Sequence, residues 1–333
     1  MELRPILRAD AQQATSLLSE GFPMHSRATW QESVRRLLIH VGRRNENEPI
    51  GYIASAGGRD VGISLTIPGH RSAYEDKPRK VVNFAAFYLR PGNEWMTTPF
   101  LRRMMKDPAT EYIDLTASPA MCKVNRRLGF TDRSRGMVVV PTAISALRPG
   151  RGARVLPASE LSAEMLSPDH RKLLAEHTRL HAVALTAEVD GACHPLILAR
   201  SYRKRVRSAR VVLARDRELI RAVLGPLSRH LLGLGIFFLE FDAMSKAGIP
   251  ESAFVTRFAP VQSTMPSANP AIDHTFSELM FIPPPPARPV LAPPPQPRGS
   301  GMVPFPLQVA DIGFAAIPAA TGLVAGITET LFV

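Results

Sequence analysis

The sequence predicts an α/β fold in two successive units, and three observations carry that prediction. Residues Val81 to Phe130 spell strand, turn, helix, strand and a second helix; the same order returns after Arg154; and an apolar content of 45% over 333 residues suffices for two cores.

The elements follow in order. LRPILRAD opens as a short strand, and a helix then starts at Asp10 and stops at Gly21 with Ala14, Leu17 and Leu18 inward. Thr29 and Glu32 have the spacing of a capping box for the next helix, whose Trp30, Val34, Leu37, Leu38 and Val41 share one stripe. GYIASAGG and RDVGISLTIP read as a hairpin turning at Gly57-Gly58. The run from Val81 to Arg90 is too apolar for a loop and reads as a buried strand that Pro91 and Gly92 end. Thr98 with Pro99 supplies a cap and a proline at the first helical position, ahead of an apolar face of Phe100, Leu101, Met104 and Met105. Glu111 to Ala117 alternates as a strand, Ser118-Pro119 repeats the cap-plus-proline device, and Gly129 closes that helix in the left-handed region.

At these residues the chain resembles the GNAT superfamily of N-acyltransferases. ASPAMCKVNRRLGF is similar to the family's asparagine-proline to glycine-phenylalanine segment, with Ser118 in the asparagine position and Pro119, Gly129 and Phe130 matching. The resemblance implies a mixed, mostly antiparallel sheet flanked by helices, repeated in tandem, and acetyl-CoA or another acyl-CoA as co-substrate. It also implies a cofactor site on Phe87, Tyr88, Leu89, Asn93, Glu94, Trp95, Met96, Thr97, Thr98 and Asn125. A splayed fourth strand would offer backbone groups to pantetheine, and the next helix N-terminus would hold the pyrophosphate through free N–H donors and its dipole. The chain departs from the family in its phosphate loop, where Glu94 to Pro99 lacks the usual cation and glycines, and at Asn125, which stands where many members carry an acidic tyrosine.

LRPGRGAR interrupts the pattern, so the expected organisation is a first unit at 1–146, a connection at 147–153 and a second, diverged unit at 154–282. That second unit reads as a helix around Leu173 to Ala187, strands at Pro195–Ala199 and Ala209–Ala214, and a helix capped by Asp216. Ile236–Ala243 and Thr275–Ile282 complete it as further strands. A proline-rich linker at 283–301 and an apolar tail at 302–333 follow, the tail reading as a loose segment, a docking segment or a short membrane contact. Two cysteines and a charged N-terminus make the cytoplasm the default.

The formal charge of +12 is spread over both halves, and its one dense cluster, Arg200 to Arg217, sets eight cations against Asp216. Tyr202 alone is too little aromatic surface for base stacking, so nucleic acid is disfavoured and a solvated strand edge is the plainer reading. Tyr88, late on the strand lining the acyl site, is a candidate to orient the acceptor or protonate the thiolate; Ser118 lies at the mouth of the same cleft and also serves as a cap. Glu94, Glu111 and Asp114 are candidate bases. Cys122 reads as core, and His177 with His181 lacks the third ligand zinc needs, so no metal is expected. The functional expectation is transfer of an acyl group to an amine or hydroxyl of a small molecule or sugar by direct attack. The alternative is a non-catalytic unit of the same fold that binds a partner.

Overall fold

The computed structural model describes residues 1–283 except 44, 46, 72, 75–77, 151, 161–164, 204, 247 and 266–269. The expectations for the chain beyond Pro283 lie outside the described residues. Among those described, no helix is long and apolar enough to cross a membrane.

The first half runs β1 (Glu2–Pro5), α1 (Ala11–Gly21), α2 (Arg27–Gly42), β2 (Gly51–Ala56), β3 (Arg59–Arg71), β4 (Arg79–Leu89), α3 (Thr97–Met104), β5 (Glu111–Asp114), α4 (Pro119–Arg127), β6 (Thr131–Asp132) and β7 (Gly136–Pro141). Gly57 and Gly58 both take positive φ, 56° and 73°, and turn the β2–β3 hairpin as expected. Ser118 caps α4 by accepting from Met121 N at 3.2 Å, and Gly129 ends it at φ 93°. Two caps differ from expectation. Ser26 rather than Thr29 starts α2, accepting from Thr29 N at 3.1 Å, while Glu32 bridges Arg35 and Arg36. The start of α3 is a 3₁₀ turn at Glu94–Met96, which puts Pro99 at the third helical residue, still in the first turn, where an N–H is dispensable. Helices α1 and α2 cover one face of the sheet with Leu17, Leu18, Trp30 and Leu37; α3 and α4 cover the other, where Phe84 of β4 clusters with Met96, Phe100 and Phe130.

The second half runs α5 (Thr142–Ser145), β8 (Arg154–Pro157), α6 (Pro168–Arg179), β9 (Val183–Val189), β10 (Ala192–Arg203), β11 (Val206–Ala214), α7 (Arg217–Ala222), α8 (Leu224–Gly233), β12 (Phe238–Ala243), β13 (Ala253–Val255), β14 (Gln262–Ser263), β15 (Ile272–Asp273) and α9 (Glu278–Phe281). The first sheet has the order β1-β2-β3-β4-β5-β14-β6 and the second β13-β7-β12-β11-β10-β9-β8, with β15 added to β11. Each sheet therefore takes a strand from the other half of the chain: β7 pairs β12 and β13, and β14 lies between β5 and β6.

Three expectations in this half are corrected. The helix placed at Leu173–Ala187 ends at Arg179, His181 turns the chain at φ 64°, and Val183, Leu185 and Ala187 alternate inward as strand β9. The helix after Asp216 is two helices meeting at Val223. Thr275–Ile282 is not a strand: Phe276 at φ 54° breaks the extended run, and α9 follows.

The arginine cluster is corrected too. Its strands β10 and β11 are interior, not an edge. Arg203 pairs with Glu240 at 2.8 Å, Arg210 with Asp242 at 2.9 Å and Arg215 with Asp216 at 2.8 Å, while Arg217 donates to Asp242 O at 2.8 Å. Much of the cationic surface that the sequence displays is spent on internal carboxylates and carbonyls, which a contact with nucleic acid would have to compete for.

Candidate active site

The site begins with backbone. Strands β4 and β5 pair in parallel only from Val81–Glu111 to Phe84–Asp114. Beyond Phe84 a bulge interrupts the β3–β4 ladder, and Ala86 sits at φ 49°. Side-chain placement confirms the extra residue: Ala85, Ala86 and Tyr88 face the α1–α2 core, whereas Phe84, Phe87 and Leu89 face the α3–α4 core. The bulge swings β4 away from β5 and frees its inner edge from Ala85 onward.

A cleft of about 590 Å³ opens on this gap, between the two halves of the chain. Ala86, Thr116 and Glu278 line one wall; Phe22 and Trp30 add aromatic surface from the α1–α2 connection and α2, and Arg210 and Phe258 come from the second half. A smaller cleft of about 570 Å³ beside α4 shares Thr116, Met137, Arg210, Arg257 and Phe258 with it.

Glu278 is the distinctive group. Thr116 Oγ1 donates to its Oε1 at 3.0 Å, while Oε2 has no partner among the described residues. Complete burial, reinforced by the neighbouring Asp114 carboxylate, pushes its pKa up to about 7. Asp114 is itself raised by burial, and accepts from Asn125 Nδ2 at 2.9 Å and Thr116 N at 3.2 Å. Thr116 thus touches both carboxylates, one through its hydroxyl and one through its N–H.

The residues expected from sequence are distributed as follows. Tyr88 donates its hydroxyl to Glu20 Oε1 at 3.0 Å, on a carboxylate that Arg90 also grips at 2.7 and 2.8 Å. Ser118 is occupied as the α4 cap. Phe87, Leu89 and Met96 join one apolar cluster with Phe100, which holds the start of α3 beside the free edge of β4. Asn93 Nδ2 donates to Arg90 O at 3.2 Å, Glu94 accepts from Gly92 N at 3.1 Å, and Thr97 Oγ1 donates to Glu94 O at 2.7 Å. Thr98 is half-buried, and Trp95 is 67% exposed. Asn125 is fully buried, donating to Asp114 and to Gln262 Oε1 at 3.0 Å, so it ties α4 to β5 and β14.

Three further candidates are placed by geometry. Glu111 is fully buried among Arg71 at 3.1 Å, Arg133 at 2.8 Å and Ser263 Oγ at 2.6 Å, an ion-pair hub rather than a poised base. Cys122 is buried, and burial raises its thiol pKa, as suits a core position. His177 is fully buried between Leu173 O at 2.9 Å and Phe276 N at 3.4 Å; its Nδ1 donates and its Nε2 accepts. Sequence reasoning missed Glu278 because TFSELMFI scans as an alternating strand; the one available signal was an acid inside an apolar run.

No protein-family model matches the sequence, and no curated protein matches it. Solved structures do resemble it. A GCN5-related N-acetyltransferase from Anabaena variabilis is 10% identical and aligns over 79% of this chain and 72% of its own, with a TM-score of 0.51. A putative acetyltransferase from Pyrococcus horikoshii is 12% identical over 84% of this chain and 95% of its own at TM-score 0.49. Eis1 from Mycobacterium abscessus is 15% identical over 80% and 74% at TM-score 0.46. The fold is that of the Anabaena variabilis GCN5-related N-acetyltransferase, built here from two successive mixed sheets.

Proposed function

We propose that this chain is an acyl-CoA-dependent acyltransferase, with acetyl-CoA as the donor and an amine or hydroxyl of a small molecule as the acceptor. The observation that carries the reading is the open gap between β4 and β5 with Glu278 at its wall. Pantetheine lies along Phe87–Leu89 of the free β4 edge. The pyrophosphate sits at Asn93–Thr98, at the N-terminal end of the 3₁₀ turn that leads into α3, where the helix dipole favours an anion. The thioester carbonyl meets backbone N–H groups at the Ala86 bulge, which stabilise the oxyanion.

Glu278 takes the proton from the attacking nitrogen or oxygen, and a pKa of about 7 keeps it basic enough to do so yet substantially ionised at neutral pH. The new bond forms at the acyl carbon, the carbon–sulfur bond breaks, and the CoA thiolate leaves with a proton drawn from water. Thr116 fixes the carboxylate's orientation. Tyr88 and Ser118 act at a distance, the first through Glu20 of α1 and the second by starting α4.

Calorimetry of the full chain with acetyl-CoA and with free CoA tests the reading; micromolar binding supports it, and no binding at millimolar concentration sinks it. A second reading is favoured by Glu94, an acid in the expected phosphate turn, beside the exposed Trp95. A non-catalytic unit would use that surface for a partner, and would leave CoA unbound and Glu278 dispensable.

A further inference from the structure

Two residues that line the cleft each carry a buried polar atom that the protein leaves unmatched. Arg210 is 8% exposed and Glu278 6%, and both line the cleft. Arg210 spends Nη2 on Asp242 at 2.9 Å, yet its Nε has no partner among the described residues; Oε2 of Glu278 has none either. A buried guanidinium N–H and a buried carboxylate oxygen each cost free energy when left unpaired, so a site presenting one donor and one acceptor is shaped for a ligand supplying the converse pair.

We propose that the acceptor is an amine carrying a carboxylate close to its nucleophilic nitrogen on an apolar or aromatic body, a hydrophobic α-amino acid being the simplest case. This rests on the acyltransferase reading and adds its substrate class. The amine faces Oε2 of Glu278, the group assigned to take its proton. The carboxylate takes the Nε–H of Arg210, with Arg257 at the same wall adding a second cation. Arg257 is exposed and lies 5.8 Å from the Phe258 ring. A monoanion suits this arrangement better than a phosphate dianion, because Asp242 already balances the Arg210 charge. Phe22, Trp30, Met137 and Phe258 supply an apolar wall for the body of the substrate.

The test uses the full chain and three probes: L-phenylalanine, phenethylamine, which lacks the carboxylate, and 3-phenylpropanoate, which lacks the amine. Binding is followed calorimetrically without CoA, and transfer by release of the CoA thiol. Loss of the carboxylate is expected to weaken binding and lower kcat/KM about tenfold or more, as removal of a charge-assisted hydrogen bond does. Changing Arg210 strands Asp242 and risks the fold, so the diagnostic variant is Arg257→Ala. It should narrow the phenylalanine-to-phenethylamine ratio about threefold or more while acetyl-CoA affinity stays constant.

Phenylalanine binding without transfer would keep this inference and remove the acyltransferase reading. Transfer to phenethylamine at equal or better efficiency would do the reverse. The inference is also overturned if neither carboxylate probe binds at millimolar concentration, or if Arg257→Ala leaves the ratio unchanged.

Discussion

The two sheets repeat a parallel strand pair, and the chain treats the two gaps beyond those pairs in opposite ways. In the first sheet β4 and β5 part after Phe84 and Asp114, and the space becomes the cleft. In the second, β11 and β12 pair from Ser208–Phe238 to Arg210–Glu240, but the next positions of β11 are taken by the chain itself: Leu213 and Ala214 pair with Asp273 and Ile272 of β15. His274 seals the plug, donating its N–H to Val212 O at 2.7 Å and meeting Asp242 through Nε2 at 2.7 Å. At the helix start that follows, Asp216 already takes the Leu219 N–H at 2.6 Å, leaving an acid where a phosphate would sit. A gap of this topology becomes a binding site only when nothing in the chain completes it. The segment that fills the second gap continues directly into α9 and places Glu278 at the wall of the first, so one stretch of chain closes one gap and lines the other.

The largest effect is expected at Glu278. Glu278→Gln keeps the acceptor for Thr116 but removes the base, and kcat should fall about 10²–10⁴-fold with acetyl-CoA affinity unchanged. Wild-type activity should rise with pH through about 7, a limb the variant lacks. Stability should move the other way. The folded carboxylate holds its proton up to about 7 against an ordinary 4.5, so its contribution is complete below 4.5 and lost as pH rises to 7. Thermal scans at pH 5 and pH 8 should therefore show Glu278→Gln gaining stability relative to wild type only at the higher pH; equal shifts at both would refute the assigned pKa.

Next is the plug. Asp242→Ala strands Arg210 and His274 in the interior and should cost about 3–5 kcal/mol in urea unfolding. A loss under about 1 kcal/mol would show that water reaches these groups. CoA stoichiometry sharpens the comparison directly: one molecule per chain is expected, and two would mean that the second gap opens.

Smaller effects are expected in the first gap. Glu94→Arg replaces an acid by a cation at the proposed phosphate turn and should tighten CoA several-fold, roughly 1 kcal/mol, in titrations at low salt. An unchanged affinity would move the phosphates elsewhere. Ala86→Gly relieves the left-handed residue of the bulge and should leave stability unchanged or raise it by up to about 1 kcal/mol, read from the unfolding midpoint. A clear loss would mean that the Ala86 methyl packs as core.

The sequence by itself determined whatever is written within a turn of chain: the Gly57-Gly58 hairpin, the Ser118-Pro119 start and Gly129 stop of α4, the Asp216 cap, and the buried run of β4. These are contests between neighbours a few residues apart, so local pattern decides them. Tertiary structure decided the rest. Only folding brings Gln262 to Asn125, Arg203 to Glu240 and Arg210 to Asp242, and the last two pairings take part of a conspicuous basic run into interior ion pairs. It made Glu111 a structural hub and set Glu278 at the cleft wall with one oxygen unmatched, although both are glutamates in apolar surroundings of similar pattern. The reason is that a buried carboxylate's role depends on which partners fold around it. Three arginines surround Glu111, whereas Glu278 has a threonine and another carboxylate, and those neighbours arrive from distant parts of the chain.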